Sequence, residues 1–246
     1  MKKRLDLILV QKKIAETRTK AQNMITSGNI YINGKLAQKS SDLYSAENKI
    51  ILKKLDKDWV SKGAFKLLHA LDYFKIDVFN FKCLDIGAST GGFSQVLLSR
   101  NANKIYSVDV GTNQMSKKLL NNPKIINIQK TNARYINKEI IPEIIDIIVC
   151  DVSFISMKKV IEPSLSLLDD KFGIIIGLIK PQFESSKNEV GKGGVVKDDK
   201  IHKRICLDFE NWFISKCKMK VLGIIQSPIK SPKGNIEFLI CAKRNA

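Results

Sequence analysis

The stretch Cys83-Leu84-Asp85-Ile86-Gly87-Ala88-Ser89-Thr90-Gly91-Gly92-Phe93 decides the reading of the fold. A short apolar run ends in Asp-x-Gly, small residues and a glycine pair follow, and an apolar segment of helical length comes next. This is the order of the first strand, loop and helix of a nucleotide-binding α/β sheet. Glycines in such a turn let the backbone pass close to a ligand where a β-carbon would collide. Gly-rich turns follow strands in many folds, so the weight comes from residues further downstream. Asp109, Asp151, Lys180 and Glu237 each stand at the end of, or within, an apolar segment.

Working outward, apolar strands are predicted at 83–86, 105–108, 125–128, 144–150, 173–178, 221–225 and 237–241, with helix-length intervals between most of them. The last two are separated only by a turn region at 227–235 that holds Pro228, Pro232 and Gly234, which predicts an antiparallel pair. Seven strands of this kind make an open, mostly parallel, doubly wound α/β sheet. A dinucleotide-binding domain of the dehydrogenase kind shares the first turn. Against it, the loop reads G-x-x-x-G-G without the three-glycine phosphate spacing, and no second nucleotide-binding half follows.

Residues 1–60 have a different rhythm and read as a separate small module, with a linker near 53–60 and the sheet domain over 61–246. Leu5, Leu7, Ile8, Leu9 and Val10 predict a short apolar helix. Thr17 is the N-cap expected for a second helix carrying Ala21, Met24 and Ile25, and Gly28 its stop. Ile30-Tyr31-Ile32 alternates as a strand, and Asn33-Gly34 is a hairpin turn because both positions tolerate positive φ. The module holds 13 Lys and Arg against 6 Asp and Glu. Arg18, Lys20 and Lys35 flank the second helix and the hairpin, a charged face that is either solvated or RNA-binding.

The whole chain of 246 residues carries 42 Lys and Arg against 24 Asp and Glu, a formal charge of +18. A surplus of this size favours a polyanionic partner, nucleic acid first and an anionic membrane second. Abundant Ile, Asn and Lys offer compositional bias as a plainer cause. Five cysteines lie scattered in apolar runs without CxxC spacing, which reads as reduced, packed thiols. Two histidines leave little for a metal centre, and no metal is expected. No signal peptide is visible, and the most apolar run, 172–179, is far shorter than the roughly 20 residues a bilayer needs. A soluble cytoplasmic protein, more readily a monomer, is the expectation.

Ligands of doubly wound sheets sit at the carboxyl ends of strands, where strand order reverses. Asp109, with Val110 beside it, ends the second strand at a position where a carboxylate commonly grips ribose hydroxyls. S-adenosylmethionine fits that frame, its methionine part over the 87–92 turn and Asn132-Ala133 near the adenine edge. A carboxylate capping a strand end is the alternative for Asp109. Lys66, Asp151, Lys180 and Glu237 are the candidates for chemistry, since buried lysines and carboxylates are expensive unless paired. A structural ion-pair network is the alternative for these four.

Two resemblances sharpen the reading. Arg4-Leu5-Asp6, Thr17-Arg18-Thr19-Lys20-Ala21 and Ile25-x-x-Gly28-x-Ile30-x-Ile32-Asn33-Gly34-Lys35 resemble the S4 RNA-binding domain. That resemblance implies phosphate contacts by Arg4, Arg18, Lys20 and Lys35, with salt-dependent affinity. Lys66, Asp151, Lys180 and Glu237 match the Lys-Asp-Lys-Glu tetrad of FtsJ-like 2′-O-ribose methyltransferases. The full chain resembles the TlyA family, on Ser61-Lys62-Gly63-Ala64-x-Lys66, Asp151-Val152-Ser153-Phe154-Ile155-Ser156, Lys180-Pro181-Gln182-Phe183-Glu184 and Gly191-Lys192-Gly193-Gly194-Val195-Val196. By that resemblance the tetrad is catalytic, the residues 85 and 87–93 with Asp109, Val110, Asn132, Ala133 and Asp151 hold S-adenosylmethionine, and Lys62 joins the RNA contacts. The family commonly has Arg at the position of Lys62, and lysine lacks the bidentate phosphate geometry of arginine.

The resemblance also implies cytidine 2′-O-methylation of ribosomal RNA, on helix 69 of 23S rRNA in a shorter subtype and also on helix 44 of 16S rRNA in a longer one, with effects on capreomycin and viomycin susceptibility. The chain stops soon after the tetrad strand, as the shorter subtype does, so the 50S subunit is the expected partner. Family members are also called haemolysins, which leaves a membrane-lytic role as a rival, and a non-catalytic RNA-binding module is a second. For the tetrad, Lys180 is the candidate base. A free lysine has a pKa of about 10.4, and a nearby Lys66, a sulfonium charge and desolvation would lower it while Asp151 and Glu237 would raise it.

Overall fold

The computed structural model describes residues 2–26, 29–45, 47–52 and 59–244. The chain divides into two compact units, Met1–Lys62 and Gly63–Ala246.

The first unit runs β1 (Lys2–Arg4), α1 (Leu5–Gln11), α2 (Arg18–Thr26), β2 (Ile30–Ile32), β3 (Lys35–Leu36), β4 (Leu43–Ser45) and β5 (Ile50–Leu52). Leu5 and Leu9 of α1 and Ala21 and Ile25 of α2 lie one helical turn apart, and they close with Ile30 and Ile32 into a small core. Thr17 Oγ1 accepts the Lys20 amide at 3.1 Å, which is the expected N-cap of α2. The expected stop at Gly28 and most of the expected linker lie outside the described residues. Asn33 and Gly34 both take positive φ, 49° and 81°, and turn β2 into its antiparallel partner β3. β2 also pairs with β5, and β1 with β4.

The second unit runs α3 (Gly63–Phe74), β6 (Lys82–Ile86), α4 (Gly92–Ser99), β7 (Lys104–Val108), α5 (Lys117–Leu120), β8 (Ile125–Ile128), β9 (Ile147–Cys150), α6 (Lys158–Ser164), β10 (Ile174–Ile179), α7 (Pro181–Glu184), α8 (Asp199–Ser215), β11 (Met219–Gln226) and β12 (Phe238–Arg244). One sheet of seven strands holds them in the order β11-β12-β10-β9-β6-β7-β8. Strands β10, β9, β6, β7 and β8 are parallel, and β12 is antiparallel to both neighbours. The central strands are covered on both faces, so β9 is an unbroken buried run, Ile147-Ile148-Val149-Cys150. On α8, Ile205, Phe209 and Phe213 recur every fourth residue and seal one edge of the core. All five cysteines are free, and all but Cys206 are buried.

Three strand boundaries differ from expectation by more than one residue: the start of β9, the start of β11 at Met219 rather than 221, and the end of β12. The run expected as a strand from 144 begins its ladder at Ile147. Ile144 is exposed, and Ile145 bonds through its amide to Leu167 O at 2.8 Å in a separate bridge to the loop before β10. Apolar character alone does not distinguish a loop anchored by one buried isoleucine from a strand. The last strand begins at Phe238 and runs to Arg244, leaving Glu237 just ahead of it.

Candidate active site

Strand order reverses between β6 and β9: the chain goes from β6 outward to β7 and β8, then returns to the other side of β6 as β9. The carboxyl ends of these two strands are therefore the place where a ligand crevice opens. Gly87 follows β6 and Asp151 follows β9. They are pressed so closely that a β-carbon at Gly87 would lie 2.6 Å from the Asp151 carbonyl oxygen, and Gly87 also has φ +81°. Glycine is required there on both counts.

The topology also delivers the charged residues to this edge. Lys180 leaves the carboxyl end of β10 and is the residue before α7, whose Pro181 starts the helix without needing an amide partner. Because β12 runs against β10, with Ile179 opposite Phe238, the residue that enters β12 lands where β10 ends. That residue is Glu237. Lys66 reaches in from α3, on the turn of that helix whose neighbour Leu67 is fully buried.

The four side chains form one connected cluster. Lys66 Nζ donates to Glu237 Oε2 at 2.8 Å and to Asp151 Oδ2 at 3.5 Å. Lys180 Nζ lies 2.5 Å from Asp151 Oδ1 as an ion pair, and donates to Ser153 Oγ at 2.9 Å. All four are largely withdrawn from solvent, Glu237 most completely at 2 % exposure. Desolvation works to lower the Lys66 pKa, but Asp151 and Glu237 together outweigh it and hold the ammonium above its ordinary range. The two lysines thus differ: Lys66 touches two carboxylates, whereas Lys180 shares one of them and otherwise meets a neutral hydroxyl.

The turn after β6 has the shape of a ligand cradle. Gly87, Ser89 and Gly91 all take positive φ, and Gly91 caps α4 with no side-chain acceptor, so first-turn amides face outward for an anionic group. Asp109 Oδ2 accepts the Ser89 amide at 2.8 Å and Oδ1 the Gly111 amide at 2.7 Å. Each oxygen keeps a lone pair for a hydroxyl. Asp85 is fully buried; Ser94 Oγ donates to its Oδ2 at 2.6 Å while Oδ1 has no partner. Burial pushes this carboxyl up to about 7. A cradle that a β-carbon would fill, a free pair of acceptors and an orphaned buried carboxylate oxygen suit S-adenosylmethionine, which carries a carboxylate, a cationic ammonium and a ribose diol.

Other expected cofactor positions are placed less directly. Ala88 and Phe93 are buried, Thr90 and Gly92 continue the turn into α4, and Val110 is exposed beside Asp109. Asn132 Oδ1 accepts both the Arg134 amide at 3.1 Å and Arg134 Nε at 3.4 Å, so only its amide nitrogen is left for a base edge; Ala133 follows in the same short turn. In the first unit Arg4 and Arg18 both grip Asp6, Lys20 pairs with Glu16, Lys35 opens β3, and Lys62 closes the unit, with partial burial pulling its ammonium down.

Sequence reasoning missed Ser153, which accepts from Lys180, and Gln182, whose Nε2 donates to Glu237 Oε1 at 3.4 Å. It also missed Phe154. This ring is 91 % exposed, on a backbone with φ 65°, and lies 5.0 Å from the Phe183 ring. A bulky residue in that conformation is strained, and a strained exposed aromatic beside a charged cluster is a signal of function that only the backbone reveals.

Residues 59–244 match the FtsJ-like methyltransferase family and residues 3–50 match the S4 domain. The chain is 41 % identical over 241 residues to hemolysin A of Brachyspira hyodysenteriae, spanning 96 % of this chain and 98 % of that one. It is 37 % identical over 238 residues to the 16S/23S rRNA (cytidine-2′-O)-methyltransferase TlyA of Mycobacterium tuberculosis, spanning 96 % and 88 %. It is 35 % identical over 249 residues to the 23S rRNA (cytidine-2′-O)-methyltransferase TlyA of Campylobacter jejuni, spanning 93 % and 95 %.

Proposed function

The chain belongs to the FtsJ-like methyltransferase family and carries an S4 domain, and from that premise we propose that it methylates cytidine 2′-hydroxyls of 23S rRNA. The methyl donor is S-adenosylmethionine, which when bound supplies a methyl group on a sulfonium that leaves as a neutral thioether. The rRNA substrate is the one named for the TlyA relatives, and 23S rRNA is common to both of them. Helix 69 on the 50S subunit is the finer assignment, with altered capreomycin and viomycin susceptibility as its expected consequence. Such work on ribosomal RNA is done in the cytoplasm.

The observation that carries the mechanism is the asymmetry of the cluster. A ribose hydroxyl attacks only as its proton is drawn away, so one group must accept a proton while its neighbours hold position. Lys66, tied to both carboxylates, stays charged and fixes Asp151 and Glu237. Lys180 has only a share of Asp151, and in its neutral form its Nζ takes the 2′-hydroxyl proton as the oxygen–carbon bond forms. Ser153 and Asp151 aim that nitrogen. Gln182 braces Glu237, leaving the carboxylates to orient the hydroxyl. Much of the rate comes from holding the hydroxyl in line with the methyl group, which a rigid, buried cluster does well. The turn at 87–92 and Asp109 hold the donor, and Phe154 offers an apolar face to a nucleobase.

Transfer of labelled methyl from S-adenosylmethionine to 50S and 30S subunits tests the reading, with Lys180→Ala beside the wild type. Removing Lys180 leaves Asp151 paired with Lys66, so the fold is retained. Removing Lys66 instead would strand buried Glu237, a change that destabilises by roughly 3–5 kcal/mol. The expected result is ribose label in 23S rRNA that falls by about 100-fold or more in the variant, the scale of general base catalysis. Label in 16S rRNA as well would widen the substrate. No label in either subunit, with RNA still bound, would reduce the protein to a binding module.

A further inference from the structure

A second polar feature lies next to the cluster in the chain, just ahead of Glu237. The loop at 192–197 and the segment at 230–236 border an open hollow of about 460 Å³ whose rim carries the exposed Lys192, Lys197, Lys230 and Lys233. None of these four has a carboxylate partner among the described residues, and of Glu189, Asp198 and Asp199, close by in sequence, only Asp199 brings its carboxylate to the wall of the hollow. Glu189 holds Arg204, Asp198 caps α8 through the Lys200 amide, and the exposed Asp199 faces His202 Nδ1 at 3.6 Å. Four ammoniums around one hollow sum to a positive field that attracts an anion.

The walls are tied together rather than loose. Asn235, 2 % exposed, accepts the Val196 amide at 3.0 Å and donates to Gly194 O at 2.9 Å, so it staples one lysine-bearing loop to the other. Its own amide donates to Ser231 Oγ at 2.9 Å, and the Ser231 amide donates to Asn235 O at 3.0 Å. His202, buried at the floor, bonds Val196 O through Nε2 at 3.1 Å. That partner is a carbonyl, so Nε2 carries the proton. The hollow adjoins the cluster along the chain: Ile236 lines it and the next residue is Glu237.

We infer that this lysine-rimmed hollow seats a backbone phosphate of the substrate RNA, flanking the nucleotide whose ribose enters the Lys66–Asp151–Lys180–Glu237 cluster. The inference rests on the RNA-methylating reading above. It adds a phosphate contact on the catalytic unit itself, built from residues 192, 197, 230 and 233. Its role is to fix the register of the strand at the reacting sugar, because phosphate contacts position a nucleic acid without reading its sequence.

The test replaces Lys192, Lys197, Lys230 and Lys233 together by glutamine, and separately by arginine. Three quantities are read on the full chain: affinity for an rRNA hairpin across a salt series, affinity for S-adenosylhomocysteine, and methyl transfer. The glutamine variant is expected to keep its cofactor affinity and to show a plot of log affinity against log salt shallower by at least about 0.7, the contribution of one single-strand phosphate. Its KM for RNA rises roughly tenfold while kcat is nearly kept, the pattern of a lost contact made equally in ground and transition states. The arginine variant restores the slope. An unchanged slope and KM in the glutamine variant overturn the inference. So does inorganic phosphate at millimolar concentration shifting the lysine ammonium NMR signals of the wild type while RNA affinity is indifferent to the substitutions, since the cavity would then be a site for the free anion. Failure of the wild type itself to bind or methylate RNA would instead strike the functional reading beneath it.

Discussion

At the scale of single residues, the switch point concentrates groups whose environment opposes their ordinary chemistry, and Asp85 is the clearest. Its carboxyl is sealed from water, one oxygen is held by Ser94 and the other has no partner. Burial, with smaller contributions from the charges of Asp151 and Asp109, raises its pKa to about 7. The folded protein thus keeps a proton that the unfolded chain has lost above its ordinary carboxyl pKa, near 3.9. Between roughly pH 4 and 7 each increment of pH therefore favours unfolding, and above 7 the loss is complete and constant. Asp85→Asn keeps an acceptor for Ser94 and removes the ionisation. Without cofactor, its melting temperature should exceed that of the wild type by a few degrees at pH 8, and the two curves should converge near pH 4. Parallel melting curves across that range would show that Asp85 stays ionised in the fold. Residues of this sort were half legible: Asp85 stood out in the sequence by position, but its missing partner exists only in three dimensions.

At the scale of elements, the sequence showed most of the sheet because parallel strands buried on both faces read as apolar runs. The elements it hid were hidden for physical reasons. Lys2-Lys3-Arg4 forms a strand with no apolar side chain, since its ladder to Leu43–Ser45 is made by the backbone. The four-residue helices Lys117–Leu120 and Pro181–Glu184 are too short to show a helical period. The first unit is organised by a group whose role was also invisible. Asp6, in the first turn of α1, accepts two bonds from Arg4, at 3.1 and 2.9 Å, with one from Arg18 at 3.0 Å and one from Gln22 at 2.9 Å. It therefore ties β1, α1 and α2, and these bonds, led by that of Arg4, hold its carboxyl well below the usual range. A depressed pKa gives stability that is fully present above the ordinary carboxyl pKa and is lost as pH falls through the folded value. Asp6→Asn should destabilise this unit by roughly 1.5–3 kcal/mol at neutral pH, the worth of charge-assisted hydrogen bonds, with the deficit shrinking in acid. Because Arg4 and Arg18 would lose their anchor, RNA affinity should fall with it. Hydrogen exchange of the α1 and α2 amides reads the first effect and a binding titration the second. Exchange unchanged at neutral pH would mean the arginines, not Asp6, set the geometry.

At the scale of the whole molecule, a formal charge of +18 over 246 residues attracts any polyanion, and this bears on the name hemolysin A carried by one relative. Anionic lipid and RNA both present closely spaced phosphates, so adsorption to a vesicle by itself does not mark a lytic protein. The distinction lies in the step after adsorption. Lysis requires apolar matter to enter the bilayer, and among the described residues no helix is long and apolar enough to cross a membrane. Purely electrostatic attachment dissolves as salt screens it, within a Debye length of about 8 Å at physiological ionic strength. The protein should therefore sediment with phosphatidylserine-containing vesicles at low salt, release from them as salt is raised, and free no trapped dye at any point. RNA affinity should fall over the same salt range, while affinity for S-adenosylmethionine, which the proposed mechanism assigns to the 87–92 turn and Asp109, should hardly move. Dye release that persists at high salt would put an apolar membrane-entering surface on this chain and reopen the lytic reading. Salt-reversible adsorption without release would assign the membrane affinity to the lysine and arginine surplus alone.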